Sequence, residues 1–499
     1  MVKFDIPRGT RDFLPNDTTK RNYVEKLIKQ NFENYGYQQI KTPMFEKFEM
    51  LAAKSGDEIR ESMFTFVSDR EEYALRPELT APTCRLVSSG KLNKLPLPYK
   101  LYYIGECFRY CRPQANRYRE FMQAGLELIG SKNPLSDAEI IVIAVKTLKR
   151  LGISDFNLKV GNIGILKNYL TGLNISDFNT QIRIINNIDH MIYIREKCNE
   201  LKLKNNLNNE EKNQIRFELE KIYSFQEHYN YSGKYEIMPE QNITEESLRN
   251  KLDFLPKAAE STYQSIWESM DISNETINGL IDLSHIQGDI ESVFQNAKDI
   301  LKNTESINKL EELYQVCSWI KKMGITEFDV IINITRGLDF YTGTVFEIDF
   351  PSLGSQKQIC GGGRYDKLIG EFGGNHIPAT GFGFGFDRVV EAFIKSGNVI
   401  KSSPIDVFVA VSSSDYISNA LEIAEKLRDD GIRTSVDLLE LDLREQIGYA
   451  NNVKADYVVI IGPEELQKES CKLRELATHS EETVSISSII NKIKEKINN

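Results

Sequence analysis

The stretch from Arg117 to Ile129 limits the possible folds most. Counted in twos, Arg117, Arg119, Phe121, Gln123, Gly125 and Glu127 fall on one side of an extended chain. Tyr118, Glu120, Met122, Ala124, Leu126 and Leu128 fall on the other, because successive side chains of a strand point to opposite faces. The second side is apolar beyond its first residues. The first gathers cations, an aromatic ring, an amide and a carboxylate. Such a strand belongs in an open antiparallel sheet with one face packed on a core. Its polar face is either solvated or a floor for a ligand, and an open sheet's need for cover by helix or ligand favours the floor. The preceding strand, Tyr99–Arg109, ends in Arg109, which reaches the same cationic end. The loop between them, Tyr110–Asn116, is longer than a tight turn, and longer loops tend to carry function.

Three further segments carry polar groups in the same manner. Phe340–Asp349 is rich in β-branched and aromatic residues and predicts a strand, with Tyr341, Gly343, Val345 and Glu347 on one side. Arg336 stands just before it, where its fork of donors suits a phosphate or a growing anion; equally, it pairs with Asp339 and holds a turn. In the extended run Arg76–Pro82, Glu78 and Thr80 point the same way and offer a carboxylate and a hydroxyl to an ammonium group. Glu78 alternatively caps the helix that follows from Thr83. Gly381–Arg388 reads as a strand running into a helix. Its glycines match neither a dinucleotide fingerprint nor a P-loop, and Arg388 lies in the first helical turn, where it can cover a base or meet a phosphate.

At 499 residues the chain predicts two to four domains. A formal net charge of -10 argues against non-specific nucleic-acid binding but allows a local basic groove. Lys3, Asp5, Arg8, Arg11 and Asp12 interrupt the N-terminus, so no signal peptide is expected. The apolar runs Ile140–Val145 and Tyr457–Ile461 are too short to span a bilayer; no membrane partner and a cytoplasmic location are expected. The seven cysteines read as reduced thiols, and Cys107 with Cys111 lacks the further ligands of a zinc site. Helical spacing covers Thr18–Tyr35, and Phe64–Ala74 resembles a hairpin. After Asp137 the pattern turns helical, with little strand signal from about Gly164 to Gly324. Phe328–Asn333 reads as a strand, Gly361–Gly363 as punctuation. Beyond the polar linker Lys395–Pro404, strands and helices alternate (Asp406–Val411, Tyr416–Asp430, Arg433–Asp437, Leu443–Asn451, Tyr457–Ile461), predicting a separate α/β domain.

Together these segments resemble the class II aminoacyl-tRNA synthetases, and closely the histidyl-tRNA synthetase family. Tyr37–Glu46 is similar to the first, dimer-forming motif, Phe108–Phe121 to the second with its arginine-bearing loop, and Gly381–Arg388 to the third. Arg336–Gly343 and Gly361–Asp366 are similar to signatures specific to the histidine enzymes, and Pro7–Pro15, Glu445–Ala450 and Val458–Gly462 also fit. The resemblance implies an α+β fold: an antiparallel-sheet catalytic domain (1–163 and 328–397) interrupted by a helical insertion (164–327) and followed by an α/β anticodon-binding domain (398–499). It implies ATP-dependent ligation of histidine to its tRNA through a histidyl-adenylate, magnesium accompanying ATP with no protein ligand for it assigned, and a homodimer. By analogy Arg109 and Arg336 hold the α-phosphate and the substrate carboxylate as catalytic groups, Arg336 in a place that a metal fills in relatives. Arg117 and Arg388 contact the outer phosphates, and Phe121 and Arg388 sandwich adenine. Glu78, Thr80 and Gln123 bind the ammonium end; Glu127 and Tyr341 hydrogen-bond the imidazole, with Tyr365 nearby. Phe340, Leu79 and Asn116 depart from the usual pattern. A non-catalytic paralogue, such as a histidine-sensing regulatory subunit of ATP phosphoribosyltransferase, is the alternative. The retained arginines, glycines and C-terminal domain argue against it, and Arg336–Gly343 argues against a different amino acid.

Overall fold

The computed structural model describes residues 4–53, 60–111, 118–229, 231, 233–237, 245–333, 340–400 and 405–498. Arg117 and Arg336 lie outside the described residues, as do Asn116, Asp339 and most of the loop between the two strong strands. The chain divides into two compact units, Met1–Asn398 and Val399–Asn499.

The strands of the first unit are, in chain order, β1 (Gln38–Gln39), β2 (Phe45–Lys47), β3 (Thr65–Ser68), β4 (Glu71–Leu75), β5 (Tyr99–Phe108), β6 (Glu120–Ile129), β7 (Asn157–Asn162), β8 (Gln287–Gly288), β9 (Asp329–Ile331), β10 (Thr344–Asp349), β11 (Gln358–Arg364) and β12 (Ala379–Gly385). One nine-stranded sheet runs in the order β1-β5-β6-β12-β11-β10-β7-β9-β8, and β2-β4-β3 make a small sheet of their own. The pairs from β5 through β7 are antiparallel. Alternation then divides the labour as the sequence predicts. Ala124, Leu126 and Leu128 are buried on the back of the sheet. There Phe32, from the helix Pro15–Asn34, meets the rings of Tyr102 and Phe382 at 5.6 and 5.9 Å, and Phe346 meets Phe382 at 6.1 Å. Edge-on aromatic contacts of this kind add to the burial of their area.

The helix Pro134–Arg150 also lies on the back. Asn133 caps it, its side chain accepting from the Leu135 amide at 2.9 Å. Every residue from Ile140 to Val145 is buried, because the helix Thr304–Lys322 packs against it and leaves no wet side. Between residues 163 and 322 the chain forms the helices Ile163–Gly172, Phe178–Lys202, Asn209–His228, Glu245–Glu268, Asn274–His285, Ile290–Ile300 and Thr304–Lys322. Asp177, Asn208, Ser273, Asp289 and Asn303 each cap one of these with a side-chain oxygen, which is why this polar stretch breaks into many helices. Phe178–Lys202 and Asn209–His228 both pack on Glu245–Glu268, whereas Ile163–Gly172 and Thr304–Lys322 pack on each other.

Three expectations need correction. Gly361–Gly363 is not punctuation but lies inside β11. Glycine is needed there because the strands approach closely: a Cβ on Gly362 would stand 2.2 Å from the Gly381 carbonyl oxygen. Strand β7 falls where helix was expected; only Leu158 and Val160 alternate inward, too short a signal to separate from its helical flanks. Strand β10 begins at Thr344, so Tyr341 sits on the approach to it. In the second unit β13 (Val407–Val411), β14 (Thr434–Val436), β15 (Tyr457–Ile461), β16 (Ser470–Glu475) and β17 (Glu481–Ser485) form a sheet ordered β14-β13-β15-β16-β17. Its first three strands are parallel and its last two antiparallel.

Across the back of the first sheet Arg364 and Asp137 form a buried ion pair, with Nε and Nη2 at 3.0 and 2.9 Å from the carboxylate. Thr344 adds a hydroxyl at 3.2 Å. Removing one partner strands the other charge, so Asp137→Ala should cost about 3–5 kcal/mol in urea unfolding, while Asp137→Leu with Arg364→Met should recover most of it. A cost under about 1 kcal/mol for the single variant would show the pair to be solvated.

Candidate active site

The front face of the sheet has a low, glycine-lined centre. Phe121, Gln123, Gly125 and Glu127 of β6 stand opposite Cys107, Gly105, Tyr103 and Leu101 of β5. On the other side Gln123, Gly125 and Glu127 face Gly385, Gly383 and Gly381 of β12, and beyond these lie Gly361 and Gly363 of β11. Polar side chains rise around this floor.

Glu127 is the deepest of them, 1% exposed. Tyr103 donates its hydroxyl to Oε1 at 2.9 Å, and Tyr365 donates to Oε2. Thr80 Oγ1 lies 3.3 Å from the Tyr103 hydroxyl. Burial pushes the Glu127 carboxyl up to about 7, against hydrogen bonds from Tyr365, Tyr103 and Thr80 that hold it down. Burial and the neighbouring Glu127 charge raise both tyrosines well above the usual phenol range, so each remains a donor near neutrality. Only glycine fits beside this carboxylate, since a Cβ on Gly381 would stand 1.6 Å from Oε2.

Glu78 accepts from the Ala81 amide at 2.9 Å and from the Thr80 amide. These are the bonds of the capping alternative: the helix begins at Thr80, not Thr83, and runs to Ser88. Burial raises the Glu78 carboxyl, while the Ala81 and Thr80 amides and then the Arg109 charge oppose the shift. The run before it is pinned by Arg76, whose Nε donates to the Glu106 carbonyl at 2.7 Å and whose Nη1 donates to that of Thr42 at 2.9 Å.

At the other end of the floor, Arg109 Nε donates to the Pro77 carbonyl at 2.8 Å, and its guanidinium carbon is 5.4 Å from the Phe121 ring centre. The Cys107 thiol donates to Gln123 Oε1 at 3.4 Å. Arg388, in the first turn of the helix Phe386–Lys395, donates to the Gln358 carbonyl at 2.8 Å and to Gln356 Oε1 at 2.6 Å. Tyr341 is buried over Gly363, its Cδ1 3.0 Å from where a Cβ would stand. Phe340 fills the space between Tyr341 and Tyr365, with ring centres 4.9 and 5.7 Å away.

Of the residues singled out in the sequence, the structure gathers Glu78, Thr80, Glu127 and Tyr365 into one hydrogen-bonded neighbourhood. Tyr341 joins it through Phe340. Arg109, Phe121 and Gln123 continue the floor toward the first turn of the Arg388 helix. Sequence reasoning missed Tyr103, although its place two residues before Gly105 on β5 puts it on the same face. It also missed Arg76 and Asp387, whose partners are remote in sequence.

The Glu127 carboxyl is raised from an ordinary value of 4.5 to about 7, so the folded chain binds more protons than the unfolded one between those pH values. Its ionisation therefore weakens the fold as pH rises, a cost absent below about pH 4.5 and complete above about pH 7. Glu127→Gln should gain stability relative to the parent by on the order of 3 kcal/mol on going from pH 5 to pH 8. Urea midpoints at the two pH values measure this difference, and an unchanged gap would show that Glu127 titrates as an exposed carboxylate.

Comparison with known proteins bears on this site. The histidyl-tRNA synthetase family model matches residues 9–188 and 235–389, and the anticodon binding domain model matches residues 406–496. The histidine--tRNA ligase of Methanocaldococcus jannaschii is 35% identical over 98% of this chain and 100% of its own length. That of Methanosarcina acetivorans is 34% identical over 98% of each. In fold, the chain is similar to the crystal structure of histidyl-tRNA synthetase from Nostoc sp. PCC 7120, with a TM-score of 0.71, 21% identity, and 99% and 100% of the two chains covered. The chain belongs to the histidyl-tRNA synthetase family, class II aminoacyl-tRNA synthetases that use ATP.

Proposed function

We propose that this chain activates histidine with ATP and transfers it to the 3′ end of its tRNA. The observation that carries this reading is the buried Glu127 with its two phenol donors, at one end of a glycine-lined floor that leads to Arg109 and Phe121. Each Glu127 oxygen accepts one tyrosine hydroxyl and keeps capacity for an imidazole N–H. An apolar side chain in that place leaves that remaining acceptor capacity buried and unmet, and rejection on such grounds reaches about 10⁴-fold. Tyr341 is the second imidazole partner in this reading. Glu78, Thr80 and Gln123 hold the ammonium end, Glu78 by oxygen capacity beyond its capping bonds.

The first step joins a histidine carboxylate oxygen to the α-phosphorus as the bond to the pyrophosphate oxygen breaks. It asks for in-line positioning and charge stabilisation, not for a protein nucleophile. Arg109 and Arg336 are proposed to hold the α-phosphate and carboxylate, Arg117 and Arg388 the outer phosphates, and Phe121 with Arg388 the adenine. Magnesium would enter with the nucleotide as part of the substrate. Among the described residues no group of three or more His, Cys, Asp or Glu is placed to hold a metal, so no protein ligand is proposed. Catalytic segments 1–163 and 328–397, an insertion at 164–327 and an anticodon-binding domain at 398–499 complete the reading. The exposed Phe45 of the first motif and the exposed Phe66 beside it favour burial in a homodimer. No described helix is long and apolar enough to cross a membrane, and a cytoplasmic location is proposed from the function. That relatives 34–35% identical over 98% of the chain are histidine--tRNA ligases supports the ligase over the regulatory paralogue.

Purified protein should catalyse histidine-dependent exchange of pyrophosphate into ATP, and Arg109→Ala should lower its kcat about 10²–10³-fold, the scale of one lost oxyanion donor. An absence of exchange sinks the assignment; exchange that survives Arg109→Ala unchanged sinks the role of that arginine. Because the chain is acidic overall, tRNA should be held by local cations, and its affinity should fall as salt rises. Filter binding at several ionic strengths measures the slope, and a flat line contradicts this picture.

A further inference from the structure

The functions above leave unused the N-terminal segment Pro7–Pro15 and the residue before Arg388, Asp387. In the structure these two features meet. Asp387 Oδ1 accepts from Arg11 Nη2 at 2.7 Å and from Arg21 Nη1 at 2.6 Å. Its other oxygen, Oδ2, accepts the backbone N–H of Met122 at 2.7 Å. Strand β12 pairs with β6 only as far as Gly385 opposite Gln123. The Asp387 carboxylate thus supplies the next acceptor, where β12 has already turned into a helix and can offer no carbonyl of its own.

The surrounding groups fix this carboxylate. The Arg11 guanidinium lies over the Tyr118 ring at 3.3 Å and near Phe13 at 4.9 Å. Arg21 lies between Phe13 at 4.0 Å and Phe386 at 5.0 Å, and its Nη2 reaches Met122 Sδ at 3.6 Å. The side chains are only 10% exposed for Asp387 and 14% for Arg21, so water screens the pair weakly. Charge-assisted bonds of this geometry are among the strongest available. The same arm continues to the loop: the Arg119 amide donates to the Gly9 carbonyl at 2.9 Å, and the Arg119 carbonyl accepts from the Arg109 amide at 2.9 Å.

Met122 follows Phe121, and Asp387 precedes Arg388, so a single carboxylate joins the neighbours of both proposed adenine walls. We propose that Asp387, braced by Arg11 and Arg21, is a positioning residue that sets the separation of Phe121 and Arg388 and so the width of the nucleotide-base slot. The proposal rests on the assignment of those two residues to adenine. A merely structural bond would change stability and all kinetic constants together. A slot-width device changes nucleotide binding selectively, since small misplacements of a binding group are costly.

The test uses the full chain and reads both equilibrium binding of ATP by calorimetry and the exchange reaction. Asp387→Ala should weaken ATP binding and raise the KM for ATP about tenfold or more, with the KM for histidine within about twofold of the parent. Asp387→Asn, which keeps an acceptor for the Met122 N–H, should recover part of the loss. Should Asp387→Ala fail to fold, Arg11→Ala removes one brace, and Arg11→Lys, which keeps the charge, should restore part of its effect. ATP affinity unchanged in the folded variants, or losses shared equally by ATP and histidine, would overturn the proposal. A parent protein that binds ATP, loses that binding in Asp387→Ala, yet shows no exchange would refute the proposed function and leave the slot device standing.

Discussion

A carboxylate buried in the floor of a sheet sets the terms for the rest of this unit. An isolated charge in such a place costs several kcal/mol, and Glu127 is tolerated because Tyr103 and Tyr365 each give it a hydroxyl. That requirement fixes much else. Tyr103 must stand on the neighbouring strand, two residues from Gly105; Tyr365 must leave β11 toward the front; and position 381 must carry no side chain. Thr80 meets Tyr103 because the helix after Glu78 starts where it does, and Glu78 itself holds that start. The site is therefore less a set of ligands on a scaffold than one network whose members fix one another. Such a network is stable only when fully satisfied.

The two faces of the sheet are joined through consecutive residues. Arg364 points to the back and pairs with Asp137 on the helix Pro134–Arg150, while Tyr365 points to the front and reaches Glu127. Arg364 Nη1 also binds Asp366 Oδ1 at 3.0 Å, and the same carboxylate oxygen accepts from the Ala379 amide at 3.2 Å. The Tyr365 amide donates to the Ala379 carbonyl at 2.8 Å. A tyrosine that must place its hydroxyl on one carboxylate oxygen is thus held at both of its neighbours. The conformational freedom it would otherwise lose on binding a substrate is lost in folding instead.

Strong alternation made β5 and β6 legible in the sequence, and with them the placing of Phe121, Gln123 and Glu127 on one face. Long amphipathic stretches such as Pro15–Asn34 were equally plain. Gly361–Gly363 was misread because glycine marks both turns and strands that approach too closely for a side chain, and only the register with β10 and β12 separates the two. Asn157–Asn162 carries two inward apolar residues, too few to stand against helical neighbours. The missed residues share another cause. Arg76, Tyr103 and Asp387 act through partners 23 to 376 positions away at closest and farthest, and no local pattern encodes such a partner. Glu78 was legible as a carboxylate with two possible duties; the choice of amide partners became visible only with the helix start at Thr80.

Register is where these strands could most easily fail. A shift of β6 by one residue would send Phe121, Gln123 and Glu127 into the aromatic back layer and lift Leu126 and Leu128 into the site. Hydrophobic pattern resists that slip along the buried half of the strand, from Ala124 to Ile129. It has little hold on the half toward Glu120, where both faces carry polar groups and exposure rises. The Asp387 carboxylate on the Met122 amide lies in that weak half, one residue beyond the end of the ladder with β12. A side-chain acceptor there extends a backbone register past the point where β12 has become a helix, and it does so beside the residues that most need to be in place.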